Sequence, residues 1–487
     1  MSNLDLGVVG NCGFGALIDR QGSVVWCCLP RFDGDPVFNA LLGGTKASNR
    51  DGAFAIDLEG LKDTHQFYEP NTAVLKTQLH GSSGSVEITD FIPRFYWRDR
   101  IFRPQSFVRR VTPISGRPQI SVRSRPTFKF GSVSPTITHG SNHIRYVGPE
   151  FTVRLTTDAP IDYLLKETPF NLDQPINFIL GPDETISDGV RETARQFEER
   201  TTSYWRAWSR RLALPLEWQE AVIRAAITLK LCTYEPTGAI VAALTTSIPE
   251  APDSGRNWDY RYCWLRDAFF VVRALNSLGA VAAMENYFEW LMNVVGSATE
   301  DHLQPVLGIG LERTLTERIT KSLAGYRGMG PVRIGNQAHE HFQHDVYGNL
   351  ILGAAQTFFD KRLLMTAGVE NFERLEVAGE KAFHLHNQPD AGMWELRSRT
   401  NIHTSSSLMC WAACDRLAKI AVHLGKSQRA NDWQQRADTI KTTILEQAWC
   451  EKRKAFVDSF GGSGLDASVL LMVEVGFIDP LDPRFVS

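Results

Sequence analysis

Residues 187–211, SDGVRETARQFEERTTSYWRAWSRR, divide the chain into two halves of different hydrophobic period. The stretch itself is charged and helical in pattern. Before it, short apolar or alternating runs recur between turn residues. GALIDRQGSVVWCCLP (15–30) and AVLKTQLHGSSGSVEITDFIP (73–93) each read as a hairpin, turning at Arg20-Gln21-Gly22 and at Gly81-Ser82-Ser83-Gly84. Many short strands without helical patterns between them predict an antiparallel β-sandwich over residues 1–186. After it, the period changes to that of helices, at 216–233, 264–278, 280–295, 336–359, 362–386, 403–424, 427–447 and 464–474. Consecutive helices joined by aromatic and Gly-rich loops predict a helical toroid or array over 215–487, with 187–214 as a helical linker. No tight repeat is present, which argues against a short-repeat solenoid.

Composition narrows the function. The 487 residues are 43% hydrophobic and 22% charged, enough for a large core and too apolar for a disordered chain. Lys plus Arg number 52 against 55 Asp plus Glu, so the net charge is -3 and no electrostatic footprint for nucleic acid exists. No run approaches the ~18 apolar residues of a membrane helix, and the N-terminus lacks a basic segment followed by an apolar one. Eight scattered cysteines form no CxxC pair, which predicts buried free thiols in a reducing, cytoplasmic setting. Twelve tryptophans suit stacking on an uncharged ring-shaped ligand, although core packing accounts for most of them.

Four segments could carry chemistry. Arg256-Asn257-Trp258-Asp259-Tyr260-Arg261-Tyr262-Cys263-Trp264-Leu265-Arg266-Asp267 alternates rings and charges just before a helix. Aromatic faces pack on the C–H surface of a sugar while Arg and Asp bond adjacent hydroxyls. The same residues would equally serve as an ion-paired, buried start of a helix. In Gly392-Met393-Trp394-Glu395-Leu396-Arg397, a carboxyl beside an indole suits a general acid, or else a solvated Glu paired with Arg397 or Arg399. The loop Tyr326-Arg327-Gly328-Met329-Gly330-Pro331-Val332-Arg333-Ile334-Gly335-Asn336 lacks the GxxxxGK[ST] pattern of a phosphate cradle. His339-Glu340-His341-Phe342-Gln343-His344-Asp345 is not HExxH, and no metal is expected there. There is no Gly-x-Ser-x-Gly elbow.

The order of these segments is more specific than any one of them. RNWDYRYCWLRDA, GYRGMGPVRIGN leading to DVYG, GMWELR and MCWAACDRLAKIA resemble glycoside hydrolase family 15, the bacterial glucoamylase-like and trehalase-like enzymes. The opening GNCGFGALIDRQGSVVWCCLPRFDGDPVFNALLGG resembles the β-domain of those bacterial members. The resemblance implies a β-sandwich followed by an (α/α)6 toroid, and inverting hydrolysis of a terminal α-linked glucose without a cofactor. It further implies that Trp264, Arg266 and Asp267 grip the non-reducing-end glucose, with Arg333 contributing to the same subsite. Glu395 matches the general acid, and Trp394 lines the subsite beside it. The family's general-base glutamate lies in a later segment resembling EGAFLxCSFWL, which has no counterpart before Ser487, so the toroid is expected to lack its last helices. His341 and Asn349 stand where relatives often carry Gln and Glu.

Three functions remain open on this reading. One is an exo-acting glucoamylase-like hydrolase of α-glucans. A second is a trehalase. The third, of another class, is a sugar-binding or regulatory module without a base. The expected partner is a carbohydrate, with no nucleic acid and no membrane; the oligomeric state is open.

Overall fold

The computed structural model describes residues 3–44, 51–297, 302–364, 366–397 and 399–486. Two antiparallel sheets form the N-terminal part. The larger runs, in spatial order, Thr136–His139, His143–Val147, Thr152–Thr157, Ile176–Pro182, Phe107–Gly116, Gly84–Phe91, Leu75–Gly81 and Leu61–Tyr68. The smaller runs Gly7–Gly10, Gly15–Ile18, Val24–Leu29, Phe54–Leu58, Gln119–Ser124 and Phe170–Asn171, with Asp35–Phe38 beside Val24–Leu29. Both predicted hairpins form. Alternate residues of each sheet meet in one apolar layer, where Val9, Ile18 and Ile56 of the smaller sheet pack with Leu79, Val86 and Val111 of the larger. The β-sandwich expectation holds.

One charged pair lies inside this layer. Arg109 and Asp90 are both fully buried, joined by two hydrogen bonds of 2.7 and 2.9 Å. Two further guanidinium protons go to the carbonyls of Phe54 and Gly22 at 2.8 and 2.6 Å. Satisfaction of four of the five donors, two of them by a carboxylate, is what makes this buried cation tolerable.

The charged segment after the strands is a 20-residue helix, Val190–Ser209. Instead of bridging two domains, it lies on the outer face of the larger sheet. Val190 and Ala194 are buried with Val74, Phe91, Val108 and Ile179, and Phe197 packs at the edge. Its charged side faces water with the i,i+3 and i,i+4 pairs Arg195–Glu192 and Arg195–Glu199.

The chain gathers into two compact units that are not contiguous in sequence. The first comprises Met1–Pro236, Ala243–Arg261 and Glu317–Gly335, and the second Thr237–Ala242, Tyr262–Thr316 and Asn336–Ser487. The 317–335 loop joins the β unit because its two short strands, Arg318–Thr320 and Val332–Ile334, pair, and its Leu323, Tyr326 and Val332 are buried with Trp26 and Leu41.

The second unit is helical. Leu265–Ser277, Val281–Ser297, Asp345–Phe359, Val369–Leu385, Thr404–His423 and Ser427–Gln447 follow the predicted periods, with two starts displaced. The helix expected from 336 begins at Asp345, because Asn336 caps a short 3-10 turn, Gln337–Glu340, that ends in extended backbone at His341. The helix expected from 362 begins after Gly368, and that expected over 464–474 is mostly a 3-10 turn with one short α-turn, Leu471–Glu474. Asp345–Phe359 is buried almost all round and approaches Thr404–His423 so closely that a Cβ on Gly348 would lie 2.2 Å from the Met409 carbonyl oxygen. No helix among the described residues is long and apolar enough to cross a membrane.

All eight cysteines are free. Burial pushes the thiols of Cys28, Cys232, Cys263 and Cys414 up to about 12, which leaves them unreactive.

The hairpin of Phe95–Trp97 and Arg100–Phe102 turns through Arg98 and Asp99 at φ 48° and 64°. Two successive left-handed residues are the mark of a turn that prefers Asn-Gly. Arg98→Asn with Asp99→Gly is expected to stabilise the protein by about 0.5–1 kcal/mol, raising the urea midpoint at unchanged slope.

Candidate active site

The aromatic and charged motif at 256–267 divides into two parts with different work. Asp259 and Arg261, both fully exposed to no solvent, form a two-point ion pair of 2.9 and 2.8 Å in the first unit. Arg261 also donates to the Gly34 carbonyl at 2.7 Å, so this half of the motif is structural. Trp264, Arg266 and Asp267 belong to the second unit. Trp264 ends a two-residue strand paired with Val306–Leu307 and takes extended backbone as the residue before helix Leu265–Ser277. Arg266 and Asp267 therefore stand in the helix's first turn, where the peptide dipoles favour the carboxylate.

A second loop brings Glu395 to them. Asp390 and Asn401 bridge the base of the loop, and Asp390 accepts the His344 amide at 2.8 Å and the Ser406 hydroxyl at 2.7 Å. Gly392 turns the loop at φ 65°, and a Cβ there would lie 2.6 Å from the His403 ring. Glu395 itself is left-handed at φ 53°, a strained setting for a non-glycine residue and one found disproportionately at functional sites.

One oxygen of Glu395 is fixed and the other is not. Its Oε1 accepts the Trp264 indole N–H at 2.7 Å and the Gln343 amide at 3.0 Å, with the Arg266 guanidinium 3.6 Å away. Nothing among the described residues donates to Oε2, and the side chain is 21% exposed. Oε2 is therefore the carboxyl oxygen left without a donor among the described residues. Arg266 organises the rest, donating to Asp345 at 2.7 Å, Gln343 at 3.1 Å and the Met393 carbonyl at 3.2 Å. Asp345 also accepts from Asn349 at 3.0 Å.

Asp267 is solvent-exposed, yet its carboxyl is raised above the ordinary range, chiefly by desolvation, with Glu395 and Asp345 adding and Arg266 opposing. Burial likewise lowers the basicity of His341, while Glu395 opposes the shift. Trp394 is 55% exposed and anchored through its indole N–H to Asp466 at 2.6 Å.

Five of the six residues singled out from sequence thus fall in the second unit: Trp264, Arg266, Asp267, Trp394 and Glu395. Arg333 belongs to the first, where it bonds Glu317 at 2.9 Å and lies over the Trp258 ring at 4.9 Å. Gln343 escaped the sequence reading, because a lone amide in a His-rich run carries no signal until folding sets it between Arg266 and Glu395. No group of three or more His, Cys, Asp or Glu side chains among the described residues could hold a metal ion.

The arrangement is a carboxyl with one free oxygen, an arginine-linked carboxylate and two indoles, suited to protonating an ether oxygen beside a polyhydroxylated ring. The trehalase of Mycobacterium tuberculosis is 31% identical over 96% of this chain and 72% of its own length. That of Mycolicibacterium smegmatis is 31% identical over 99% and 75%. The chain therefore spans about three quarters of the length of these two relatives. A bacterial glucoamylase solved in complex with acarbose superposes with a TM-score of 0.67 at 12% identity, covering 100% of this chain and 77% of that one, which establishes the sandwich-plus-helical-toroid fold. A trehalase-like N-terminal model matches residues 5–167, and the model of glycosyl hydrolases family 15 matches 218–487. With its motifs in order, its fold matched and more than half its length within the family model, the chain belongs to glycosyl hydrolases family 15, a family of O-glycosyl hydrolases.

Proposed function

We propose that this chain is built to hydrolyse trehalose to glucose, with Glu395 as general acid. The observation that carries the acid role is the fixing of Oε1 by Trp264 and Gln343, which leaves Oε2 to hand its proton to the departing glycosidic oxygen. Trp264, Arg266 and Asp267 hold the glucose ring, and Trp394 lines the subsite beside Glu395. Full-length relatives that are trehalases favour this substrate over the α-glucan that the motifs alone put first. Inversion needs a second carboxylate some ~6.5–9.5 Å from the acid to activate water. The reading assigns that role to none of the described carboxylates: Asp345 is tied to Arg266 and Asn349, and Asp267 grips the ring. No cofactor enters the reaction. Eight free cysteines support a cytoplasmic setting.

Glucose release from trehalose and from maltotriose, compared at equal concentration, tests the substrate. Trehalose is the expected better substrate. Preference for maltotriose returns the glucoamylase reading, and binding of either without turnover favours a binding module.

Asp267 gives a second test with a defined sign. Its ionised form accepts sugar hydroxyl protons, and its raised pKa means that this form is lost, as pH falls, above the usual carboxylate range. Asp267→Asn is expected to lower kcat/KM at neutral pH by roughly 10–100-fold and to abolish that acidic limb. Because the folded pKa is raised, ionised Asp267 costs stability above its folded pKa, and the cost vanishes below the unfolded one. The Asn variant should therefore melt slightly higher at pH 7, by on the order of 1 kcal/mol or less after solvent screening, and equally at pH 3.

A further inference from the structure

The β unit holds a second concave site, far along the chain from the motifs above. It lies where the Phe95–Trp97 hairpin, the strand Ile176–Pro182 and helix Val190–Ser209 meet, and encloses about 340 Å³. That volume is at the small end of ligand pockets. We propose that it is a non-catalytic saccharide-binding site, sized for roughly one or two sugar rings.

The floor is aromatic. Phe95, Phe102 and Phe197 have ring centroids 4.9–5.6 Å apart, which makes a fixed platform. Trp97 stands at the edge, 46% exposed, with the Arg200 guanidinium 4.4 Å from its ring centre. The cation packing on the indole orients it, and the exposed part remains for the C–H surface of a ring-shaped ligand. Among the described residues Arg200 has no ion-pair or hydrogen-bond partner, so its five N–H donors are available.

The wall is polar and balanced in charge. Arg154 and Arg200 face Glu184 and Asp188, which suits a neutral ligand and disfavours a polyanion. A flat apolar surface beside hydroxyl, amide and charged groups of both signs is the pairing that sugars require. A purely apolar ligand would leave Arg200 unsatisfied.

The test uses the whole chain labelled with 5-fluorotryptophan, carrying Glu395→Gln to keep the saccharide intact. Loss of one 19F resonance in Trp97→Phe assigns Trp97 among the twelve. Titration with trehalose and with maltotriose is expected to move the Trp97 resonance saturably at millimolar concentration, corresponding to weak binding near -4 kcal/mol. Arg200→Ala should weaken that response at least tenfold. A Trp97 resonance that stays still to about 100 mM of both sugars overturns the proposal. The two readings separate cleanly: movement of Trp264 or Trp394 with Trp97 silent keeps the hydrolase and removes this site, and the converse removes the sugar grip proposed around Glu395.

Discussion

Glu395→Gln is expected to lower kcat by about 10²–10⁴ with little change in KM, because the amide keeps the shape and loses the proton. The split between the two constants is what the geometry dictates. The hydrogen bonds from Trp264 and Gln343 reach Oε1, and an amide oxygen can accept both, so the loop and its indole neighbours stay where they are. The group lost is the proton on Oε2, which matters only once the glycosidic bond begins to break. A substrate with a good leaving group, such as an α-glucosyl fluoride, needs no such proton and should recover most of its rate in the variant. Equal loss with both substrates would mean that Glu395 binds sugar and does not act as the acid. An unchanged kcat with trehalose would remove it from the site altogether.

Several parts of this arrangement were legible in the sequence because they are local. The period of 265–277 and 404–423 predicted those helices within a residue or so at each end, since burial on one or all faces leaves a repeating apolar pattern. The start of Asp345–Phe359 was not, because its preceding turn is decided by the Asn336 cap and by extended backbone at His341. Motif order brought Trp264, Arg266 and Glu395 forward together, and the fold joins Trp264 to Glu395 by a hydrogen bond and sets Arg266 3.6 Å from the same carboxylate. The same motif concealed a division that spacing could not show: Asp259 and Arg261, two residues apart, satisfy each other, whereas Arg266 reaches 79 positions along the chain to Asp345. Gln343 and the Met393 carbonyl were invisible for the same reason. Partners chosen by tertiary folding leave no period and no spacing.

Arg266→Met is expected to cost 3–5 kcal/mol of stability, about as much as any single change in this unit. Asp345 is only 3% exposed, and Arg266 supplies its charged partner at 2.7 Å. Asp267 and Glu395 both act on the same guanidinium, so three carboxyl groups share one cation. Without it, the negative charge of Asp345 is left in a poor solvent beside two like neighbours, and the loss exceeds the worth of the ion pair itself. The double variant Arg266→Met with Asp345→Leu removes charge and countercharge together and should recover most of the stability, since apolar groups of similar volume fill the space without a desolvation penalty. Activity should not recover in either variant. Gln343 loses the acceptor role that orients its amide toward Glu395, and the Met393 carbonyl loses its donor, so the loop carrying the acid is no longer positioned. Chemical denaturation and kcat/KM measured on the same three proteins separate these two consequences. If the double variant regains both stability and turnover, Arg266 is only a structural cation; if it regains neither, the interaction with Asp345 is not what the arginine is there to satisfy.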